Sequence, residues 1–166
     1  MLDIKHIANW LKKPTNIRSL YLEAFLNLLW CWILIRLMPY QLWKSDLGVH
    51  VGHKPSTMSA ENGCGTIQLV TQVFVGLRRV FGSHFTCLML ALAARKMLSR
   101  RGISAILVLA VRPKRESRFA NGMDAHAWVT VGNTTVVGGE EMAGFIPVGY
   151  YQIIDEKSTN STRTKS

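Results

Sequence analysis

Two residues in this chain combine the type and the setting that nucleophilic chemistry requires, Cys87 and His126. A thiol attacks a carbonyl well only as the thiolate, and the first turn of a helix favours that form, because free N–H groups and the helix dipole converge there. The run from about Phe85 to Arg101 has helical spacing, which puts Cys87 in its first turn. A nearby imidazole takes the thiol proton and later returns it to a leaving amine. His126 opens the alternating run AHAWVTV (125–131), in which Ala125, Ala127, Val129 and Val131 share one face and His126, Trp128 and Thr130 the other. Small neighbours leave room for a substrate backbone. The side chain of His126 is expected to face the sheet surface on which the Cys87 helix packs. A cysteine in an apolar helix is also an ordinary small hydrophobe, and a strand histidine an ordinary packed residue. Spacing alone leaves that structural reading beside the catalytic one.

Several elements must position the pair. Residues 3–13 have an amphipathic helical pattern that Pro14 ends. Asn16 is placed to cap a long helix over 18–38, whose sequence is apolar nearly all round, although Glu23, Asn27 and Arg36 interrupt it. Those interruptions favour a buried or membrane-surface helix over a membrane span, and Pro39 stops it. Residues 45–65 read as a loop. His50, His53 and Cys64 fall in that region without a paired spacing or a fourth ligand, so no metal is expected. Helical spacing resumes over 66–81, with Ile67, Val70, Phe74, Leu77 and Val80 on the core face and Gly82 as the stop. The Cys87 helix ends at Gly102. Residues 106–111, ILVLAV, form a continuous apolar run suited to a central strand. After AHAWVTV, Gly132-Asn133 signals a hairpin turn into TTVVG, and 145–154 supply a last strand. The expected organisation is one domain: an N-terminal helical region and loop over 1–65, a catalytic core over 66–155, and a disordered basic tail over 156–166.

Composition narrows the class. The 166 residues carry 20 Lys and Arg against 10 Asp and Glu, a net charge of +10, which suits acidic partners or a solvated basic face. Three cysteines, Cys31, Cys64 and Cys87, make no regular disulfide framework, and no secretory signal is visible at the N-terminus. The expected compartment is the cytoplasm, with a membrane-surface contact through the apolar helix kept open.

The segment CLMLALAARKMLSRRGISAILVLAVR followed by HAWV resembles the lasso peptide biosynthesis B family, in particular its stand-alone B2 members, which are transglutaminase-like leader peptidases. Matching positions are Cys87, Leu88 and Ala91 to Ala93, then Arg100 to Ile103, Val111 and Arg112, and Ala125 to Val129. The resemblance implies an α+β fold with a papain/transglutaminase-like cysteine peptidase core, in which N-terminal helices precede a catalytic helix packed on a small antiparallel sheet. It implies removal of the leader from a ribosomally made precursor, with Cys87 as nucleophile and His126 as general base and then acid. The implied partners are the precursor leader, a separate leader-recognition protein and a lasso cyclase, with no nucleic acid and no cofactor. Basic residues strung from Arg95 through Arg101 and Arg112 to Arg118 are a docking strip in that scheme.

The resemblance is incomplete at the residue that should orient His126. The family commonly has an Asp twelve positions after the His, where this chain has Gly138. Glu140 is the expected substitute. Glu141 and a bare dyad are the alternatives, and Asp124 is set aside as facing away. Trp128 and His84 are the expected substrate contacts, Trp128 as a wall beside His126 and His84 from the turn before Cys87. Two other readings stay open: an acyltransferase on the same fold, and a non-catalytic membrane-surface binding protein of a maturation complex.

Overall fold

The computed structural model describes residues 15–51, 63–113 and 123–153. The helix expected over 3–13, His53 and the tail lie outside the described residues.

Helix α1 (Thr15–Leu37) begins three residues before the expected start, so Asn16 sits in its first turn, where its Oδ1 accepts from the Ile17 N–H at 2.9 Å. Only a narrow stripe of α1 is buried: Ala24, Asn27, Leu28 and Cys31, spaced three and four apart on one face. Buried Asn27 donates to the Glu23 carbonyl one turn back, at 2.9 Å. The opposite side leaves Leu22, Leu26 and Leu37 more than half exposed. By length and hydropathy α1 is long enough to cross a membrane, a test that core helices of soluble proteins also pass. Pro39 ends it, and a short helix α2 (Tyr40–Trp43) and a 3-10 turn (Lys44–Leu47) follow.

The region expected to be a loop contains a strand, β1 (Val49–Val51), which pairs antiparallel with β5 (Ile146–Gln152). A three-residue edge strand has too few alternations to register as a period. Helix α3 (Cys64–Phe81) buries Ile67, Val70, Val73, Phe74 and Leu77. Val80 was expected on that face, but it is exposed and Val73 takes the place. Gly82 ends α3 at φ +56°, a left-handed conformation that glycine adopts freely.

Helix α4 (Cys87–Ser99) is the centre of the molecule. It packs against α1 and α3 and, on its other side, against β3 (Met123–Val131). Residues Met89 to Ala94, Met97 and Leu98 are all buried. Its alanines let both layers approach closely, and so α4 is buried nearly all round rather than along one stripe. The sheet order is β1-β5-β2-β3-β4, antiparallel throughout, with β2 (Ile106–Pro113) central and β4 (Thr134–Val137) at the far edge. One sheet face, including Leu107, Ala127, Val129 and Val131, joins the helices in the main core. On the other face Ile106, Val108, Ala110 and Trp128 form a second cluster, packed by Met142 and Phe145 from the return to β5 and by Tyr150 of β5 itself.

A polar cluster at Glu23 ties α1 to Arg100 and Arg101, just past the end of α4. Glu23 receives Arg101 through two bonds of 3.2 and 2.6 Å, and Arg101 also donates to the Met97 carbonyl at 2.8 Å. The side-chain hydrogen bond from Arg101 is the main reason that the Glu23 carboxyl is held below its ordinary range, with desolvation acting against it. A carboxyl depressed on folding adds stability above its unfolded pKa of about 4.3, and that gain is lost as pH falls through the lower folded value. Glu23→Gln is therefore expected to cost about 0.5–1 kcal/mol at pH 7, the scale of a partly exposed pair. Denaturation curves of variant and parent should converge as pH drops below about 4.

Candidate active site

Thr86 caps α4, with extended backbone at φ −70° and ψ 159° and a side-chain oxygen that accepts from the Met89 N–H at 3.4 Å. Cys87 is consequently the first residue of the helix, two later than the start expected from periodicity. A negative charge developed on its sulfur would face the positive pole of α4, and no acidic residue stands in that first turn to oppose it. The side chain is partly buried against the main core, among neighbours that include Phe85 and Leu88. All three cysteines are free thiols.

His126 is 5% exposed. Its ring lies 5.2 Å from that of Phe145 and 5.8 Å from that of Trp128. Nε2 is 2.9 Å from the Gly138 carbonyl oxygen. A carbonyl only accepts, so Nε2 carries a proton and, in the neutral ring, Nδ1 holds the free lone pair.

The faces of β3 differ from expectation. Helix α4 packs on the side of Ala127 and Val129, whereas His126 is in register with Ala110, a member of the second cluster on the opposite face. The alternation was read correctly, but the helix chose the small-residue face, where backbones approach most closely. Cys87 and His126 therefore lie on packed neighbours, α4 and β3, and no hydrogen bond joins them among the described residues. β4 pairs with β3 only at Val129 to Val131. The stretch bearing His126 thus runs past the end of β4, and the ring turns toward Gly138, the residue just beyond β4.

Glu140 does not support His126. Its carboxylate is 3.5 Å from Arg78 of α3, its side chain is 73% exposed, and Glu141 pairs with the same guanidinium. The reason is the short 3-10 turn Gly139–Glu141. It presents both carboxylates to Arg78. Gly138 itself is committed to its shape. At φ +84° an added Cβ would lie 2.7 Å from the Ala127 oxygen and 2.9 Å from the Trp128 Cβ. At the position where the resemblance places an acid, this chain supplies a backbone carbonyl.

Asp124 had been set aside as facing away, but it stands two residues from His126 and so shares its face. It pairs with Arg112 at 3.4 Å. The Arg112 guanidinium in turn sits 4.5 Å over the Phe145 ring, against which His126 also packs. Arg112 and Phe145 had no place in the expected site. Their signal was faint, one cation at the end of an apolar strand and one aromatic in a glycine-rich return.

Trp128, expected as a substrate wall, is 7% exposed and belongs to the second cluster, so it shields His126 from within. His84 is exposed, and its Nδ1 is 2.7 Å from the Phe81 carbonyl, where it holds the turn leading into α4. The expected basic strip is broken up. Arg95 is buried, Arg100 and Arg101 pair with Glu23, and Arg112 pairs with Asp124. Lys114, Arg115 and Arg118 lie outside the described residues. Among the described residues no cluster of His, Cys, Asp or Glu could hold a metal ion.

A cysteine opening a core helix and a histidine on the strand packed against it, on the face turned from that helix, are the candidates here for thiol chemistry. Residues 36–149, more than half of the chain, match the transglutaminase-like superfamily, and the chain belongs to that superfamily. The matched region runs from the last turn of α1 into β5 and takes in Cys87 and His126. Members are usually enzymes, cysteine peptidases or transferases. No curated protein and no solved structure matches the chain.

Proposed function

We propose that this protein is a cysteine peptidase that removes the leader from a ribosomally made lasso precursor peptide. The observation that carries the reading is Cys87 as the capped first residue of α4 in a transglutaminase-like domain. The RRGI turn at 100–103 and the HAWV strand at 126–129 support the lasso B2 type by resemblance. In this reading Nδ1 of His126 meets the thiol over the open edge of β3 and takes its proton. The sulfur attacks the scissile carbonyl carbon, the C–N bond breaks, and the imidazolium protonates the departing amine, the new N-terminus of the core peptide. The leader stays on Cys87 as a thioester. Water, deprotonated by Nδ1, then releases it as a carboxylate and restores the thiol. The Gly138 carbonyl keeps the proton on Nε2 throughout, the task an acid performs elsewhere. A separate recognition protein presents the leader, and a cyclase takes up the freed amine. The exposed side of α1 suits a contact with the cytoplasmic membrane surface during this work.

The test is incubation with candidate precursors and the recognition protein, followed by mass spectrometry. A leader ending in a free carboxylate and a core with a free amine support the peptidase. With millimolar hydroxylamine added, a peptidase yields chiefly the acid. If the leader leaves mainly as the hydroxamate and hardly at all without the amine, the protein is an acyltransferase on the same fold.

A further inference from the structure

A cavity of about 480 Å³ lies between the second half of α1, the 44–49 segment and the second half of α4. Trp30, Leu34 and Trp43 are among its walls, and its polar lining includes Arg95, Lys96 and Asp46. Arg95 stands eight residues after Cys87, about 12 Å further along the helix, so this is a place apart from the thiol. The size is that of small-molecule sites, which run from about 300 to 1,000 Å³ and combine apolar walls with a few fixed polar groups.

Arg95 is the unusual feature. It is 2% exposed, and buried cations ordinarily face a carboxylate. Here, among the described residues, the guanidinium donates to the backbone carbonyls of Asp46 and Leu47 only, and its Nε–H is sealed in the wall with no hydrogen-bond partner. Asp46 acts on it electrostatically from further off. Lys96 stands next to it with Nζ 5.7 Å over the Trp30 ring, held at the wall. Two cations and one carboxylate leave the lining with one net positive charge. We infer that this cavity is a binding site for a small apolar monocarboxylate. The carboxylate accepts from Lys96 Nζ, with the buried Arg95 charge in the wall behind it adding attraction, and the hydrocarbon lies against Trp30, Leu34 and Trp43. The inference is independent of the peptidase reading, because the readout is binding and not turnover.

Decanoate, below the concentration at which it forms micelles, is the probe, with decanol and decylammonium as partners matched in chain length. Tryptophan fluorescence reports occupancy through Trp30 and Trp43. Decanoate is expected to bind at least tenfold more tightly than decanol, and decylammonium more weakly than either. Lys96→Met should narrow the acid-to-alcohol ratio at least threefold. Leu34→Trp, which fills the cavity without touching a charge, should weaken decanoate at least tenfold. Arg95→Met, which removes a charge behind the wall, should narrow the acid-to-alcohol ratio as well; as it also removes two buried donors, the other two variants decide the matter if it does not fold. Equal binding of decanoate and decanol, tighter binding of decylammonium, or unchanged decanoate binding by Leu34→Trp overturns the proposal.

Discussion

Cys87→Ala is expected to abolish leader release while the protein still folds and still meets its partners. Loss of the nucleophile removes the covalent step, and knocking out one member of such a unit costs about as much as losing the unit, on the order of 10⁴-fold or more. The substitution itself is mild. Cys87 is only partly buried, it is the first residue of α4, and the Thr86 cap does not depend on its sulfur. The melting temperature should therefore stay within a few degrees of the parent. Pull-down of the recognition protein reports partner binding separately from cleavage. Cleavage by the alanine variant at even one-tenth of the parental rate would remove Cys87 from its assigned role. Loss of cleavage together with loss of partner binding would instead point to a docking role for the start of α4.

Much of this site could be read from the chain, and what could not has physical causes. Cys87 at a helix start and His126 on an alternating strand both follow from local periodicity, which the backbone obeys without knowledge of the rest. The Gly132-Asn133 hairpin and the central 106–111 strand were legible for the same reason. The face on which α4 packs was not. It depends on which side of β3 is flatter, and Ala127 against Trp128 decided that only once both layers existed. Glu140 was misplaced because proximity in sequence to an expected acid says nothing about a competing cation, and Arg78 comes from a helix sixty residues earlier. The basic strip failed for a related reason. Arg95 is charged in the sequence and buried in the fold, with backbone carbonyls 48 and 49 residues away as its partners. β1 escaped notice because its stability lies in pairing with β5, a hundred residues on.

The empty acid position yields the other large effect, and its direction is opposite to what the resemblance suggests. Gly138→Asp would supply the residue type that the resemblance places there, and on chemistry alone it should help His126. The backbone forbids that. A non-glycine residue in the left-handed region costs about 1–2 kcal/mol, less for Asp, which tolerates that region better than most residues. The larger penalty is steric. The new Cβ would lie 2.7 Å from the Ala127 oxygen and 3.1 Å from the Trp128 Cα, backbone atoms in the middle of a strand that have nowhere to go. A combined loss of about 3 kcal/mol corresponds to a fall in melting temperature of roughly 6–12 °C at this chain length. Turnover should fall as well, because relieving the clash moves the Gly138 carbonyl away from His126 Nε2 and frees the ring to change tautomer. Gly138→Ala separates the causes. If the Cβ contacts dominate, alanine and aspartate lose similar stability. If backbone strain dominates, alanine is the worse of the two. A Gly138→Asp protein that melts at the parental temperature and cleaves faster would show that the loop accepts an acid, and that the carbonyl is not what holds His126.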